Sequence, residues 1–91
     1  MNEYLMIINK QHNLVGEYKY SEEDGCYIGD IINISDLISF EGDTESGVIR
    51  EFNEAVDDYV AFCAEIGKAV PYLWMPYFNQ NGRFCGILSL Q

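Results

Sequence analysis

Apolar residues at spacings of three and four dominate the second half of this 91-residue sequence. They are Val48, Phe52, Ala55, Val56, Tyr59, Phe62, Cys63 and Ile66. An α-helix returns a side chain to the same face every three to four residues, so this spacing predicts one amphipathic helix from about residue 45 to residue 66. Asp43 and Thr44 can cap its first turn, and Gly67 can end it. Because 48% of the residues are apolar, the chain has enough material for a single domain over residues 1–91.

Three segments before this helix have the composition of β-strands. They are LVGEYKYSEE, CYIGDII and LISFEG, and they predict a three-stranded antiparallel meander over residues 14–42. Asp24-Gly25, between the first two, indicates a hairpin with a type I′ turn, which needs positive φ at both central residues. NISD at 33–36 is typical of a turn. Residues 4–8 are compatible with a short strand or with the start of a helix.

The sequence after the helix changes character. Pro71 and Pro76 interrupt an aromatic segment, so residues 69–81 are expected to form a loop. GRFCGILSL, at 82–90, predicts a last strand. The expected fold class is therefore α+β, with the meander, one long helix and a final strand.

The aromatic loop has two interpretations. Its side chains either pack over the open end of the sheet or form a surface for self-association or for another partner. The candidates for self-association, which would give a homodimer, are Tyr72, Trp74, Tyr77 and Phe78.

The charge of the chain restricts its partners. Fifteen acidic residues against five basic ones give a formal net charge of −10, and every acidic residue lies at or before Glu65. Such a field repels nucleic-acid phosphates and attracts basic proteins, so we expect a basic protein partner. Two groups of carboxylates are candidates for binding it: Glu22, Glu23 and Asp24 at the hairpin tip, and Glu54 and Asp58 on the helix.

The carboxylates of EAVDDYVAFC, at 54–63, raise the question of catalysis or metal binding. Asp57 and Asp58 are neighbours on a helix and project about 100° apart, whereas Glu54 and Asp58 face the same way. A solvated helix face is the simpler interpretation, since a hard cation would need further oxygen ligands. We expect no enzymatic activity, no cofactor and no metal site.

Two other observations bear on catalysis. The only histidine, His12, lies in a polar break and is expected at the surface. A two-metal nuclease would need carboxylates that converge from different elements, and no spacing in the sequence requires this. The three carboxylates considered for such a site are Asp30, Asp43 and Asp58.

The cysteines and the hydropathy pattern indicate a compartment. The three cysteines, Cys26, Cys63 and Cys85, are odd in number and lack a metal-binding spacing. The apolar stretch near the first residue is too short and too polar for a signal peptide. No apolar run approaches the roughly 20 residues that span a bilayer. We expect a reducing cytoplasm and no membrane segment.

Three motifs, taken together and in order, resemble a known family. They are D-G at 24–25, F-E-G-D-T at 40–44 and A-V-D-D-Y at 55–59, the last followed by a short apolar stretch and Gly67. This order is similar to that of the N-terminal domain of the HicB family of type II antitoxins. The resemblance covers about residues 14–68, with a weaker similarity at 82–88.

The resemblance implies a partial, degenerate RNase H-like fold without catalysis. It also implies a partner, since HicB proteins neutralise HicA, a small basic mRNA interferase. Many family members carry a DNA-binding segment after the last strand, and this sequence ends at Gln91, so DNA binding is not expected. The alternative is a stand-alone homodimeric interaction module without a toxin partner.

Overall fold

Four antiparallel strands form the main sheet of the protein. The computed structural model describes residues 3–90, and its sheet has the order β1–β2–β3–β4. The strands are β1, Leu5–Asn9; β2, Leu14–Ser21; β3, Cys26–Ile31; and β4, Ser39–Gly42. The predicted meander over residues 14–42 is confirmed, and the ambiguous residues 4–8 form most of a fourth strand, at the edge of the sheet.

The connection between β2 and β3 differs from the predicted turn. Ser21 pairs with Cys26, which leaves a four-residue loop at 22–25, and Gly25 N donates to the carbonyl oxygen of Ser21 at 2.8 Å. Gly25 has a φ of 67°, but Asp24 does not have positive φ, so a two-residue type I′ turn is excluded. The Ser21 hydroxyl instead donates to the Asp24 carboxylate, which stabilises a wider loop.

One helix, α1, spans Glu45–Glu65, close to the predicted bounds. Its first turn is capped by Thr44, whose hydroxyl accepts from Gly47 N at 3.0 Å. Its end is a Schellman motif: Gly67 has a φ of 70°, and Lys68 N donates to the carbonyl oxygen of Cys63 at 2.8 Å. No helix within residues 3–90 has the length and apolar content needed to cross a membrane.

The core lies between α1 and the main sheet. The rings of Phe40 and Phe52 meet edge to face, with centroids 5.3 Å apart. Around them pack further buried residues of the helix and the strands, namely Leu14, Tyr18, Ile31, Val48, Val56, Tyr59 and Cys63.

Two residues of the predicted apolar helix face are not in this core. Phe62 is 53% exposed and Ile66 is also exposed, while Ala55 is half-buried. Phe62 projects about 100° from the buried Cys63 and so falls on the flank of the helix, near Ile38 of the β3–β4 connection. Ile66 is the C-cap residue, beyond the last turn of the helix.

A second, two-stranded sheet follows the helix. It consists of β5, Trp74–Phe78, paired antiparallel with β6, Phe84–Ser89. The expectation of a loop over 69–81 is therefore wrong for β5. Pro76 is tolerated because both strands of a two-stranded sheet are edge strands, where a missing N–H disrupts no second ladder. The predicted last strand is confirmed, but it pairs with β5 and not with the main sheet.

Hydrogen bonds fasten this second sheet to the first. Ser35 N donates to the Pro71 carbonyl oxygen at 3.1 Å, and the Tyr72 hydroxyl donates to the carbonyl oxygen of His12. At the far end, Lys10 Nζ donates to the Gly82 carbonyl oxygen at 2.8 Å and lies over the Phe78 ring. The hairpin is thus held at both ends.

Candidate functional site

An open apolar groove of about 390 Å³ lies along α1, on the flank that faces the β3–β4 connection. Phe62 of the helix and Ile38 of the β3–β4 connection both line it. Leu37, next to Ile38 in the chain, is 86% exposed. The residues that line the groove are Ile38, Ala55, Asp58, Tyr59 and Phe62. An exposed aromatic side chain beside an open apolar groove is typical of a protein-binding surface.

Carboxylates lie along one side of this groove. Asp58 lines it, and Glu54 and Glu65 lie four residues before and seven residues after Asp58, which places all three on the same side of the helix. All three are exposed. Among residues 3–90 the ion pairs involve Asp36 and Asp57, so none of these three carboxylates is neutralised by a basic side chain.

The adjacent Asp57 and Asp58 have different surroundings. Asp57 Oδ1 lies 3.9 Å from His12 Nε2, on the flank of α1 next to the β1–β2 turn. Asp58 lines the groove on the other flank. The helix therefore separates the two carboxylates, as their angular spacing predicted, and they do not form one acid pair.

A hydrogen-bond network holds the β3–β4 connection at the groove. Asp36 Oδ2 accepts from the Tyr59 hydroxyl at 2.6 Å and from Lys68 Nζ. These bonds, above all that from Lys68, hold the pKa of Asp36 below its ordinary value. Burial and the bond to Asp36 raise the pKa of Tyr59. Ile38 follows Asp36 by two residues, so the network holds this part of the β3–β4 connection, and with it Ile38, beside the helix.

The hairpin-tip carboxylates form a second acidic surface. Glu22, Glu23 and Asp24 are exposed, and the tip lies near the start of α1, where Glu22 and Glu45 line one shallow depression. The Tyr18 hydroxyl donates to Glu45 at 2.7 Å, and this bond together with burial raises the pKa of Tyr18 to about 12.

The pKa of the Cys26 thiol is affected by the carboxylates near this end of the sheet. Burial is the largest cause that raises the pKa of this thiol, followed by its hydrogen bond to Glu41 and the charges of Glu41, Asp24 and Asp43.

The two acidic surfaces are far apart. Glu54 and Asp58 lie nine and thirteen residues beyond Glu45, or about 14 and about 20 Å along the helix. The two sets of predicted partner-binding carboxylates therefore lie on two separate surfaces.

The four aromatic candidates for self-association differ in exposure. Tyr72 packs against the core, and Trp74 and Phe78 are half-buried, which leaves Tyr77 as the exposed residue among them. The sequence interpretation missed a larger apolar surface on the last strand and after it: Phe84, Ile87, Leu88 and Leu90. The sequence GRFCGILSL does not alternate between polar and apolar residues, and this pattern could have indicated apolar side chains on both faces of the strand.

The carboxylates considered for a nuclease do not converge. Asp30 accepts from the Ser39 hydroxyl at 2.6 Å at the β4 edge, while Asp43 precedes the helix and Asp58 lies on its fourth turn. Within the described part of the chain, no three His, Cys, Asp or Glu side chains are placed to hold a metal ion. The geometry thus gives no support to two-metal chemistry.

Comparisons with family models, with curated proteins and with solved structures give no match to this chain. The chemistry of the two acidic surfaces and of the apolar groove is therefore the basis for assigning a function.

Proposed function

We propose that this protein is a HicB-like antitoxin that binds and neutralises a small, basic, HicA-like ribonuclease toxin. The observation that carries the proposal is the groove on α1, where the exposed Phe62 lies beside Asp58, a carboxylate without a basic partner among the described residues. A basic protein that offers one apolar side chain among lysines and arginines is the complement of such a surface.

The positions of the three sequence motifs support this proposal. D-G lies in the β2–β3 loop, and F-E-G-D-T forms the end of β4 and the N-cap of α1. A-V-D-D-Y lies in the middle of α1, and three of its residues line the groove: Ala55, Asp58 and Tyr59. This motif of the resemblance is thus part of the surface that we assign to the partner.

The order of elements also supports it. The meander β2–β3–β4, the helix and a final strand follow each other as in the partial RNase H-like fold of that family. The extra strands β1 and β5 are additions to that plan. We therefore propose this fold assignment as well.

The mechanism is steric and electrostatic. A side chain of the toxin inserts beside Phe62, and basic groups around it meet Glu54, Asp58 and Glu65. The acidic hairpin tip, Glu22, Glu23 and Asp24, lies outside the contact and attracts the toxin over a longer range, which increases the association rate more than the affinity. The toxin's basic RNA-binding surface is covered while it is bound, and the antitoxin performs no catalysis.

The three cysteines fit this assignment. Cys26, Cys63 and Cys85 are all free thiols, which suits the reducing cytoplasm where a ribonuclease toxin acts.

Co-expression tests the proposal. The chain is expressed with the small basic protein encoded next to it, and the pair is purified through a tag on the partner. We expect a stoichiometric complex and loss of the partner's ribonuclease activity within it. A HicA-like partner that is expressed in soluble form but never associates would overturn the proposal.

A second candidate, a stand-alone homodimeric interaction module, is favoured by the exposed apolar residues of β6. This candidate predicts that the chain forms a dimer by itself and has no toxin partner.

A further inference from the structure

Strand β6 is an edge strand with an unusual composition. It pairs with β5 on one side, and no third strand lies on its other side among residues 3–90. An edge strand presents unpaired backbone N–H and C=O groups, which proteins normally protect with charged side chains or proline. Here β6 contains neither, since its sequence is FCGILS.

The side chains on and next to β6 are apolar and open to solvent. Phe84, Ile87, Leu88 and Leu90 are between 43% and 55% exposed, and Tyr77, across from Gly86 in the register, is 44% exposed. These residues lie on both faces of the hairpin, so apolar side chains are exposed above and below the free edge of β6. Clustered exposed apolar side chains of this kind mark protein-protein contact sites.

The distribution of charge along the chain favours a second copy of the chain as the partner of this surface. The chain has a formal charge of −10, but residues 66–91 contain no acidic residue and only two basic ones, Lys68 and Arg83. Lys68 is paired with Asp36. A basic partner finds no carboxylate in this region, whereas a second copy of the chain can approach here without the like-charge repulsion that the rest of its surface imposes.

The β1 edge of the main sheet is less suitable for a second copy. β1 also exposes apolar residues, Leu5 and Met6 among them. However, Glu3 precedes the strand, and Glu17 lies opposite Met6 in the register. Two copies that met at β1 would bring these carboxylates together, at a cost in electrostatic repulsion.

We propose that β6 pairs antiparallel with β6 of a second copy, so that the two hairpins form one four-stranded sheet, β5–β6–β6–β5, across a two-fold axis. A strand that pairs antiparallel with its own copy forms an isologous contact, which closes at a dimer and leaves no free β6 edge. Tyr77, Leu88 and Met75 cover one face of this sheet, and Ile87 lies on the other. The proposal specifies the interface of the homodimeric candidate and does not rest on toxin binding.

Light scattering coupled to size exclusion tests the assembly. Between about 10 µM and about 1 mM, the wild-type chain is expected to approach twice the 10.4 kDa of one copy. Leu88→Lys places a charge in the centre of the interface and is expected to remain at the monomer mass. Leu37→Lys is the matched control, because Leu37 is 86% exposed and lies on the β3–β4 connection, so this variant should still dimerise. Circular dichroism checks that both variants are folded.

Amide hydrogen exchange of the wild-type protein locates the interface without any substitution. We expect exchange in β6 to slow by about tenfold or more from the lowest to the highest concentration, with no such change in β1 or α1. A wild-type monomer at the highest concentration, a dimer whose protection appears in β1 or α1, or a folded Leu88→Lys variant that still dimerises would each overturn the proposal. If Leu88→Lys does not fold, the exchange result alone decides.

Discussion

The side-chain amide of Asn33 donates to the main-chain oxygen of Trp74 and so joins the end of the main sheet to the first residue of β5. Asn33 is fully buried, and its other polar contacts are also satisfied. Its Oδ1 accepts from Val15 N at 2.9 Å, and its Nδ2 donates to the Asn13 carbonyl oxygen at 2.9 Å. One amide therefore connects three segments that are distant in sequence.

Replacement of this amide is expected to destabilise the whole fold. Asn33→Asp would keep the acceptor for Val15 N but turn a carboxylate oxygen toward the carbonyl oxygens of Asn13 and Trp74. We expect a loss of about 3 kcal/mol or more in the free energy of unfolding, measured by urea denaturation. Asn53→Ala, which removes the half-buried acceptor of the Asn9 side chain, is the control and should cost about 1 kcal/mol. Equal losses for both variants would contradict the central role of Asn33.

Two phenylalanines of α1 are expected to respond differently to truncation. Phe52 has no exposed surface and packs against Phe40, so Phe52→Ala should cost about 3–5 kcal/mol. Phe62→Ala removes a side chain that is half in solvent and should cost about 1 kcal/mol or less. Thermal unfolding of the two variants measures the contrast. A large loss for Phe62→Ala would show that Phe62 belongs to the core and not to a binding surface.

The sequence located the helix to within one residue because periodicity and both caps agree, with Thr44 at the start and Gly67 at the end. It could not show that Phe62 is exposed, since helical spacing defines an apolar face but not how far the sheet beneath it extends. It also missed β5, because Pro76 is tolerated only where the strand is an edge strand, which sequence alone does not reveal.

The candidate site was predictable in part for similar reasons. The acidic face of α1 follows from spacing, and so does the divergence of Asp57 and Asp58. The groove beside Asp58 depends on Ile38, whose segment is held near the helix by the bonds of Asp36 to Tyr59 and Lys68 and by the bond from Ile31 N to the Ile38 carbonyl oxygen. Such long-range contacts leave no local pattern. Asn33 was likewise assigned to a turn from its neighbours, although it is a buried connection between segments.

The Asp36 network predicts a specific pH dependence. Because its hydrogen bonds to Lys68 and Tyr59 hold the pKa of Asp36 below its ordinary value of 3.8, ionised Asp36 stabilises the fold above that pH. This contribution is lost as the pH falls through the lowered pKa of the folded state. Asp36→Asn should therefore lower the Tm at pH 7, and the difference from wild type should shrink below about pH 4. Scanning calorimetry at pH 7, 5 and 3 measures it, and a difference that does not change with pH would contradict a charge-dependent role.

Charge reversal at two adjacent positions tests the assignment of the partner surface to one flank of α1. Asp58→Lys places a positive charge in the groove that we assign to a basic toxin, and we expect the affinity for the toxin to fall by about 10- to 100-fold. Asp57→Lys makes the same change in net charge on the other flank, beside His12, and should alter the affinity by less than about threefold. Isothermal titration calorimetry at 0.15 M salt compares the two variants, with Tm values as a check on folding. Equal losses would show that the net charge of the chain, and not the groove, governs binding, while a larger loss for Asp57→Lys would move the contact to the flank of His12.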